Sequence, residues 1–356
     1  MNILVCGGAG FIGSNFVHYI LEEYDDYNVT VYDKLTYAGN PNNHKHVIDD
    51  ERFEFEKGCI RNLDRLNEVI EEHDIDRVIN FAAETHVDRS IHGACKEFVL
   101  TNTLGPQMIA EAVQENNLEK FVNVSTDEVY GSLALDSDKE FTEETSIKPN
   151  MPYAAAKAGG DMMCRSYYQT HETPIVVTHC SNNYGPYQFP EKIIPFFVFK
   201  LLEGENVPVY GDGKNVRDWI HVRDHVRALD LLLHEGKPGE VYNIGADNER
   251  SNLELTKMIL DIMDESEEKI EFVEDRPGHD RRYAIDESKI KSLGWSPNYP
   301  QKKFKQGLRE TIEWYLENKD WVRYIQNKKR NEMNTFQEGL DRSEEKMETD
   351  STVNIE

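Results

Sequence analysis

Through the first half of the chain, short apolar runs alternate with longer segments in which apolar residues recur every three or four positions. NILVC, VTVYD, FEFEKG, RVINFAA, KFVNVS and IVVTHC read as strands, several of them apolar almost throughout. A strand buried on both faces has no polar side to show, so such runs predict a parallel sheet covered by helices on each side. Phe11 to Tyr24, Asn62 to His73, Glu97 to Asn116 and Tyr153 to His171 have helical length and period. The β-α-β-α order predicts an α/β class with a doubly wound parallel sheet.

After about Tyr184 the rhythm changes. Pro, Gly and charged residues crowd NNYGPYQFPEKIIP, YGDGKNVRDWIHVRDH and EDRPGHDRRYA, and no internal repeat shows. We expect residues 1–184 to form the sheet domain, with later strands at about 211–245 returning to it. Residues 185–330 then form a smaller C-terminal lobe, and 331–356 a disordered acidic tail.

Charge and cysteine usage narrow the classes. The net charge of −26 argues against a nucleic-acid partner, which needs a basic face. The stretch 331–356 carries eight acids against two bases and contributes part of that charge. No apolar run approaches about 18 residues, so no membrane helix is expected, and MNILVCGGAG has no basic leader. Cys6, Cys59, Cys95, Cys164 and Cys180 lack C-x-x-C spacing. They read as free thiols of a reducing, cytoplasmic compartment, with no metal site.

Two constellations carry chemistry. GGAGFIG, Gly7 to Gly13, follows the first strand and opens the first helix. Glycines there let backbone approach a pyrophosphate at a helix N-terminus, in Gly7-x-x-Gly10-x-x-Gly13 spacing. Asp33 ends the second strand, where a carboxylate can accept from a ribose diol and repel a 2′-phosphate, which favours NAD and a Rossmann fold. Further on, Tyr153 and Lys157 stand at i and i+4 on one helix face. An ammonium near a phenol stabilises phenolate and makes the tyrosine a usable base. VSTDEVYG sets Asp127 and Glu128 side by side after Thr126. Adjacent carboxylates in a closed pocket resist each other's ionisation, so one is expected to hold a proton and the other to take one. Continued strand alternation would point them apart.

GGAGFIG, FAAETHVDRSI, VSTDEVYG, PYAAAK and SNNYGP together resemble the extended short-chain dehydrogenase/reductase family, and within it the dehydratases of nucleotide sugars. The resemblance runs from Met1 to about Tyr324. It implies bound NAD, a nucleotide-sugar substrate in the C-terminal lobe and a homodimer. It also implies a mechanism in which Tyr153 takes the C4 hydroxyl proton as the C4 hydride leaves for NAD. Glu128 then takes the C5 proton, Asp127 protonates the departing C6 hydroxyl, and the hydride returns to C6. Thr126 bonds the C4 oxygen, and Lys157 also holds the nicotinamide ribose.

By motif, the cofactor positions are Gly7, Gly10, Phe11, Ile12, Gly13, Asp33, Lys34, Leu35, Thr36, Cys59, Ile60, Ala82, Ala83, Thr85, Thr101, Tyr153, Lys157 and Asn183. Those meeting the nucleotide sugar are Thr85, Thr126, Asn182, Asn183, Lys192, Ile193, Pro208, Val209, Tyr210, Arg217, Asn252, Asp275, Arg276, Pro277, Gly278 and His279. Arg223, Arg281 and Arg282 also read as ordinary surface charges. Relatives commonly have G-D-I where this chain has Gly58-Cys59-Ile60, and a thiol is a weak acceptor for an adenine amine. RPGHDRRY favours dTDP-glucose, with UDP-glucose the alternative. A 4-epimerase, a decarboxylase and a silent NAD-binding protein share parts of the pattern. The first of these has no need of Asp127 and Glu128.

Overall fold

In a computed structural model, residues 1–91, 93, 95–275 and 278–328 are described. The Arg276 and Pro277 expectations and the 331–356 tail lie outside the described residues. Strands β1 (Asn2–Cys6), β2 (Asn28–Asp33), β3 (Phe53–Lys57), β4 (Arg77–Asn80), β5 (Lys120–Thr126) and β6 (Ile175–Cys180) fall on the six apolar runs. Next come β7 (Asn182–Tyr184), β8 (Val207–Tyr210), β9 (Val216–His221), β10 (Val241–Ile244), β11 (Glu249–Ser251) and β12 (Ile270–Val273).

Seven strands form one parallel sheet in the order β10-β6-β5-β4-β1-β2-β3. Side-chain alternation explains why its inner strands are largely apolar on both faces. Ile3 and Val5 of β1 join Phe16, Ile20, Val226 and Leu229 on one face, under the helices Phe11–Glu23 and Val222–Glu235. Leu4 and Cys6 point the other way, to Leu66, Val69, Ile109, Val113 and Cys164 of Leu63–Glu72, Gly105–Glu115 and Pro152–His171. The order reverses between β1 and β4, so a crevice opens at their carboxyl ends, where such sheets take ligands.

A second core, with Phe197, Trp219, Leu255, Phe304 and Leu308, lies among Ile193–Leu202, Asn252–Ile262 and Phe304–Glu317. The expected return of residues 211–245 to the main sheet needs correction. Only β10 joins it, beside β6. Strand β9 instead pairs with β7 and β11, because its Trp219 is buried in the second core. The expected helix from Glu97 begins at Cys95, and Leu100–Leu104 winds as a π turn before Gly105–Glu115.

Candidate active site

The turn after β1 is built by close backbone approach. Gly7 sits at φ +73°, and a Cβ there would lie 2.4 Å from the Ala82 nitrogen of the neighbouring β4 turn. A Cβ on Gly13 would lie 2.5 Å from the Gly7 carbonyl, so the helix starts directly against the turn. Its N-cap, Gly10, has no side chain to cap the first N–H groups, and no acid stands in the first turn. Those donors, at Phe11 and Ile12 among others, have no partner within the helix, the condition under which a helix start can take an anion.

Asp33 closes the other side. Its two oxygens accept from Leu35 N at 2.7 Å and Ala9 N at 3.0 Å. Each carboxylate oxygen keeps a further lone pair. Burial pushes this carboxyl up, and the two N–H donors oppose that. Leu35, at φ +56°, turns the chain out of β2. An open cleft follows. Gly7, Gly10, Asp33, Lys34, Thr36, Cys59, Ile60, Ala82, Ala83 and Thr101 are brought together along it. Tyr32, Gly39, Arg61 and Glu97 line it too and carried no signal in the sequence. Arg61 donates from Nε to the Cys59 sulfur at 3.4 Å, which places a cation beside the atypical thiol.

The cleft leads past Ala83 toward the end of β5. There the strand stops at Thr126, whose hydroxyl accepts from Glu128 N at 3.3 Å and starts a 3-10 turn, Asp127–Tyr130. The expected strand alternation of Asp127 and Glu128 is therefore corrected to a turn, which sinks Asp127 and leaves Glu128 half-buried. Asp127 Oδ1 receives a long bond from Thr126 at 3.4 Å, and its Oδ2 is buried with no hydrogen-bond partner. Burial first, then Glu128 and Asp218, push the Asp127 carboxyl well above its usual range, and Arg217 opposes them. Burial and the neighbouring acids thus favour the protonated form of Asp127.

Tyr153 and Lys157 share the buried face of the Pro152–His171 helix. Burial pushes the phenol well above its usual value, and Glu128, Cys180 and Asp127 add to the push, while a hydrogen bond with Thr126 opposes it. Lys157, expected to lower the phenol, is not among the groups that do, and its ammonium donates to the Val124 carbonyl at 2.7 Å. Burial lowers that lysine and Asp161 raises it.

The remaining expected positions lie in the segments after β6. Lys192 reaches back to the Thr85 carbonyl at 2.8 Å. Glu191, not anticipated, meets the hydroxyls of Thr85 and Tyr37, each at 3.3 Å; its place beside Lys192 in FPEKIIP was the available signal. Ile193 opens the following helix. Arg217 of β9 is buried, stacked 4.2 Å above the Tyr283 ring, with a bond to the Asp280 carbonyl at 3.0 Å. Asn182 has a buried, unpartnered carbonyl oxygen, whereas the Asn183 amide is taken up by Ser181 and His225. Val209 is buried in the second core, between Pro208 and exposed Tyr210. Tyr210 lies against His279, which meets Asp275 at 2.6 Å across the turn at Gly278. Asn252 opens the next helix and donates its N–H to the Asn215 carbonyl at 2.9 Å. Arg282 corrects the surface reading, since it is buried and bonds Glu249 and the carbonyls of Ser137 and Lys139. Arg223 and Arg281 pair with Glu22 and Asp212 near solvent.

Comparison with known proteins fits this geometry. Residues 4–311 match the model of the GDP-mannose 4,6 dehydratase family. The chain belongs to that family, within the extended short-chain dehydrogenases/reductases. It is 48% identical to dTDP-glucose 4,6-dehydratase of Streptomyces niveus over 90% of this chain and 94% of the relative. It is 49% identical to the low-salt glycan biosynthesis protein Agl12 of Haloferax volcanii, over 89% and 99%. A crystal structure of dTDP-glucose 4,6-dehydratase from Bacillus anthracis in complex with NAD superposes with a TM-score of 0.85 at 48% identity, over 91% and 99% of the two chains. UDP-glucose 4-epimerase of Thermotoga maritima, at 30% identity over 89% and 99%, still reaches 0.81. Family fold alone therefore does not separate dehydration from epimerisation; the side chains do. The glycine cradle, the uncapped helix start and the spare lone pairs of Asp33 fit NAD.

Proposed function

We propose that this chain dehydrates dTDP-glucose to dTDP-4-keto-6-deoxyglucose with NAD held in the glycine-turn cleft. The observation that carries the reading is the Asp127–Glu128 pair beside Tyr153. A buried, protonated acid and a half-buried carboxylate in one turn supply the two proton transfers of an elimination. An epimerase uses proton transfer at C4 alone and has no work for this pair.

Gly7, Gly10, Gly13 and the N–H groups of Phe11 and Ile12 would hold the cofactor pyrophosphate, and Asp33 its adenosine ribose. When bound, NAD supplies reversible hydride uptake and a positively charged ring. Tyr153 takes the proton of the sugar C4 hydroxyl, with Thr126 and Lys157 holding the oxygens on either side. Oxidation at C4 acidifies the C5 hydrogen, which Glu128 removes. Asp127 gives its proton to the C6 hydroxyl, which leaves as water. On this reading Lys157, one turn along the same helix, would supply the positive charge that favours the phenolate once substrate is bound. Lys192, Arg217 and Asn182 would hold the nucleotide diphosphate, with Tyr210, Asn252, Asp275 and His279 toward the nucleoside.

The product is of the kind from which deoxysugars such as rhamnose are made, in keeping with a cytoplasmic enzyme. A homodimer would cover the exposed Val99 and Met162 of the Cys95–Val99 and Pro152–His171 helices; light scattering on the purified chain tests it. The function is tested by mass spectrometry after incubation with dTDP-glucose and, separately, UDP-glucose. Loss of water from the thymidine sugar supports the proposal. Loss from the uridine sugar alone reassigns the nucleotide, and an epimer of unchanged mass overturns dehydration.

A further inference from the structure

The far end of the described chain reaches back to the cofactor cleft. Residues 319–328 are helical, and Trp321, Ile325 and Lys328 stand at i, i+4 and i+7, hence on one face. Ile325 is buried in the second core, and the Trp321 ring lies 5.2 Å from that of Trp314 and 6.0 Å from that of Tyr187. From this seat both ends of the face bond the loop that leaves β2. Lys328 Nζ donates to the carbonyls of Thr36 at 3.1 Å and Gly39 at 2.6 Å, and Trp321 Nε1 donates to Asn43 Oδ1 at 2.8 Å. Thr36 and Gly39 both line the cofactor cleft. Tyr37 and Ala38, which lie between them in sequence, pack against the second core.

Hydrogen-bond accounting carries this contact on to the glycine turn. An indole N–H only donates, so the buried Asn43 amide turns its oxygen to Trp321, and that oxygen takes a second donor from Asn40 Nδ2 at 3.1 Å. Its nitrogen then faces the Ala9 carbonyl at 3.1 Å, which also accepts from Asn40 N at 2.9 Å. Next to it, His44 Nε2 meets the Gly8 carbonyl at 3.0 Å; a carbonyl only accepts, so the ring donates. Ala9 N donates to Asp33 Oδ2 at 3.0 Å, and a Cβ on Gly39 would stand 3.0 Å from Asp33 Oδ1. Both peptide planes between Gly8 and Gly10 are thereby tied to the loop, immediately before the helix that starts at Phe11.

We propose that residues 319–328 are a latch on the cofactor cleft: Trp321 and Lys328 are positioning residues that hold the 34–44 loop, and through it the glycine turn, in the form that retains NAD. The inference rests on the reading of this cleft as the NAD site. It goes further in making retention depend on a helix seated in the other core, so that the two lobes share one cofactor wall. Without the indole, the buried Asn43 oxygen keeps one donor of two, and an unmet buried acceptor is costly. Without the ammonium, the Thr36 and Gly39 carbonyls lose a charge-assisted partner. Either loss loosens the loop on the Asp33 side of the cleft.

The test is the rate at which the NAD-loaded full chain releases its cofactor. Lys328→Met and Trp321→Phe remove the donors and keep apolar bodies, so each should release NAD about tenfold faster, the worth of one hydrogen bond to a charged or buried group. Turnover at saturating NAD should stay native, because neither side chain takes part in the proton transfers. Arg323→Met, on the same helix but paired with Asp320 at the surface, is the control and should retain NAD as the native chain does. Amide hydrogen exchange in the loaded chain should quicken in residues 34–44 and 7–13 and stay native in β4 and β5. Native retention in Lys328→Met, equal release from Arg323→Met, or exchange that quickens everywhere alike overturns the proposal, the last being what a merely structural role gives. If Trp321→Phe does not fold, Lys328→Met decides alone. A native chain that neither carries nor binds NAD fails the cofactor reading instead, and that failure is visible before any variant is made.

Discussion

Asp127→Asn should cost activity and return stability, and the return should depend on pH. In the native chain the Asp127 carboxyl is held well above its usual range by burial and by Glu128. In the unfolded chain it ionises near pH ~4. The sign follows directly. An acid with a raised folded value binds more protons when folded, so its contribution is favourable below the unfolded value and is lost as pH rises toward the folded one. Each pH unit between the unfolded and the folded value costs about 1.4 kcal/mol. Asparagine does not titrate. It leaves an amide in the same buried place, with a roughly constant cost of about 1–3 kcal/mol. The difference in melting temperature between variant and native chain should therefore climb as pH rises above about 4, by about 2 °C per unit within that window. Turnover should fall by about 100-fold or more, because the C6 hydroxyl loses its proton donor. The assay is thermal unfolding across a pH series, with dehydration of dTDP-glucose followed in parallel. A melting difference that stays level with pH, or a variant with near-native turnover, refutes the reasoning.

Three further changes have distinct signatures. Tyr153→Phe removes the phenol oxygen alone and should lower kcat by about 100-fold or more while NAD still copurifies; near-native turnover removes the assigned base. Glu128→Gln should still oxidise C4, seen as lasting reduced-nicotinamide absorbance on adding substrate, yet exchange the C5 hydrogen about 100-fold more slowly; normal exchange assigns the base elsewhere. Gly7→Ala puts a Cβ 2.4 Å from the Ala82 nitrogen at φ +73°. The backbone conformation alone costs about 1–2 kcal/mol, so the variant should melt lower and purify without NAD; an unaltered melt and full cofactor content contradict the close-packed turn.

The sheet was legible because several of its first six strands are apolar on both faces, and burial between two helical layers leaves just that trace. The glycine turn, Asp33, Tyr153 and Lys157 were legible because their spacing places them at fixed points of a strand–turn–helix unit. What the sequence hid depends on contacts between distant segments. Strand β9 was expected in the main sheet, but its register with β7, Asn182 against Trp219, is set by the second core. Arg282 looked like a surface charge until Glu249 and two carbonyls from the 137–139 loop closed around it. The Asp127 pair was found by composition, yet its geometry was not, since a 3-10 turn in place of strand alternation is fixed by the single bond from Glu128 N to Thr126. Trp321 and Lys328 gave no signal, because nothing along the chain relates them to the glycine turn.

The central claim is that this chain removes water across C5 and C6 by way of a C4 ketone, with Glu128 and Asp127 dividing the proton transfers. The most direct measurement converts dTDP-glucose with the native chain in deuterium oxide and reads the product by mass spectrometry and carbon-resolved NMR. Expected is a 4-keto-6-deoxy product with one solvent deuterium at C5, because the proton that Glu128 takes exchanges with solvent before C5 is protonated again. A dehydrated product that keeps its original C5 hydrogen, or an epimer with C6 oxygen intact, contradicts it.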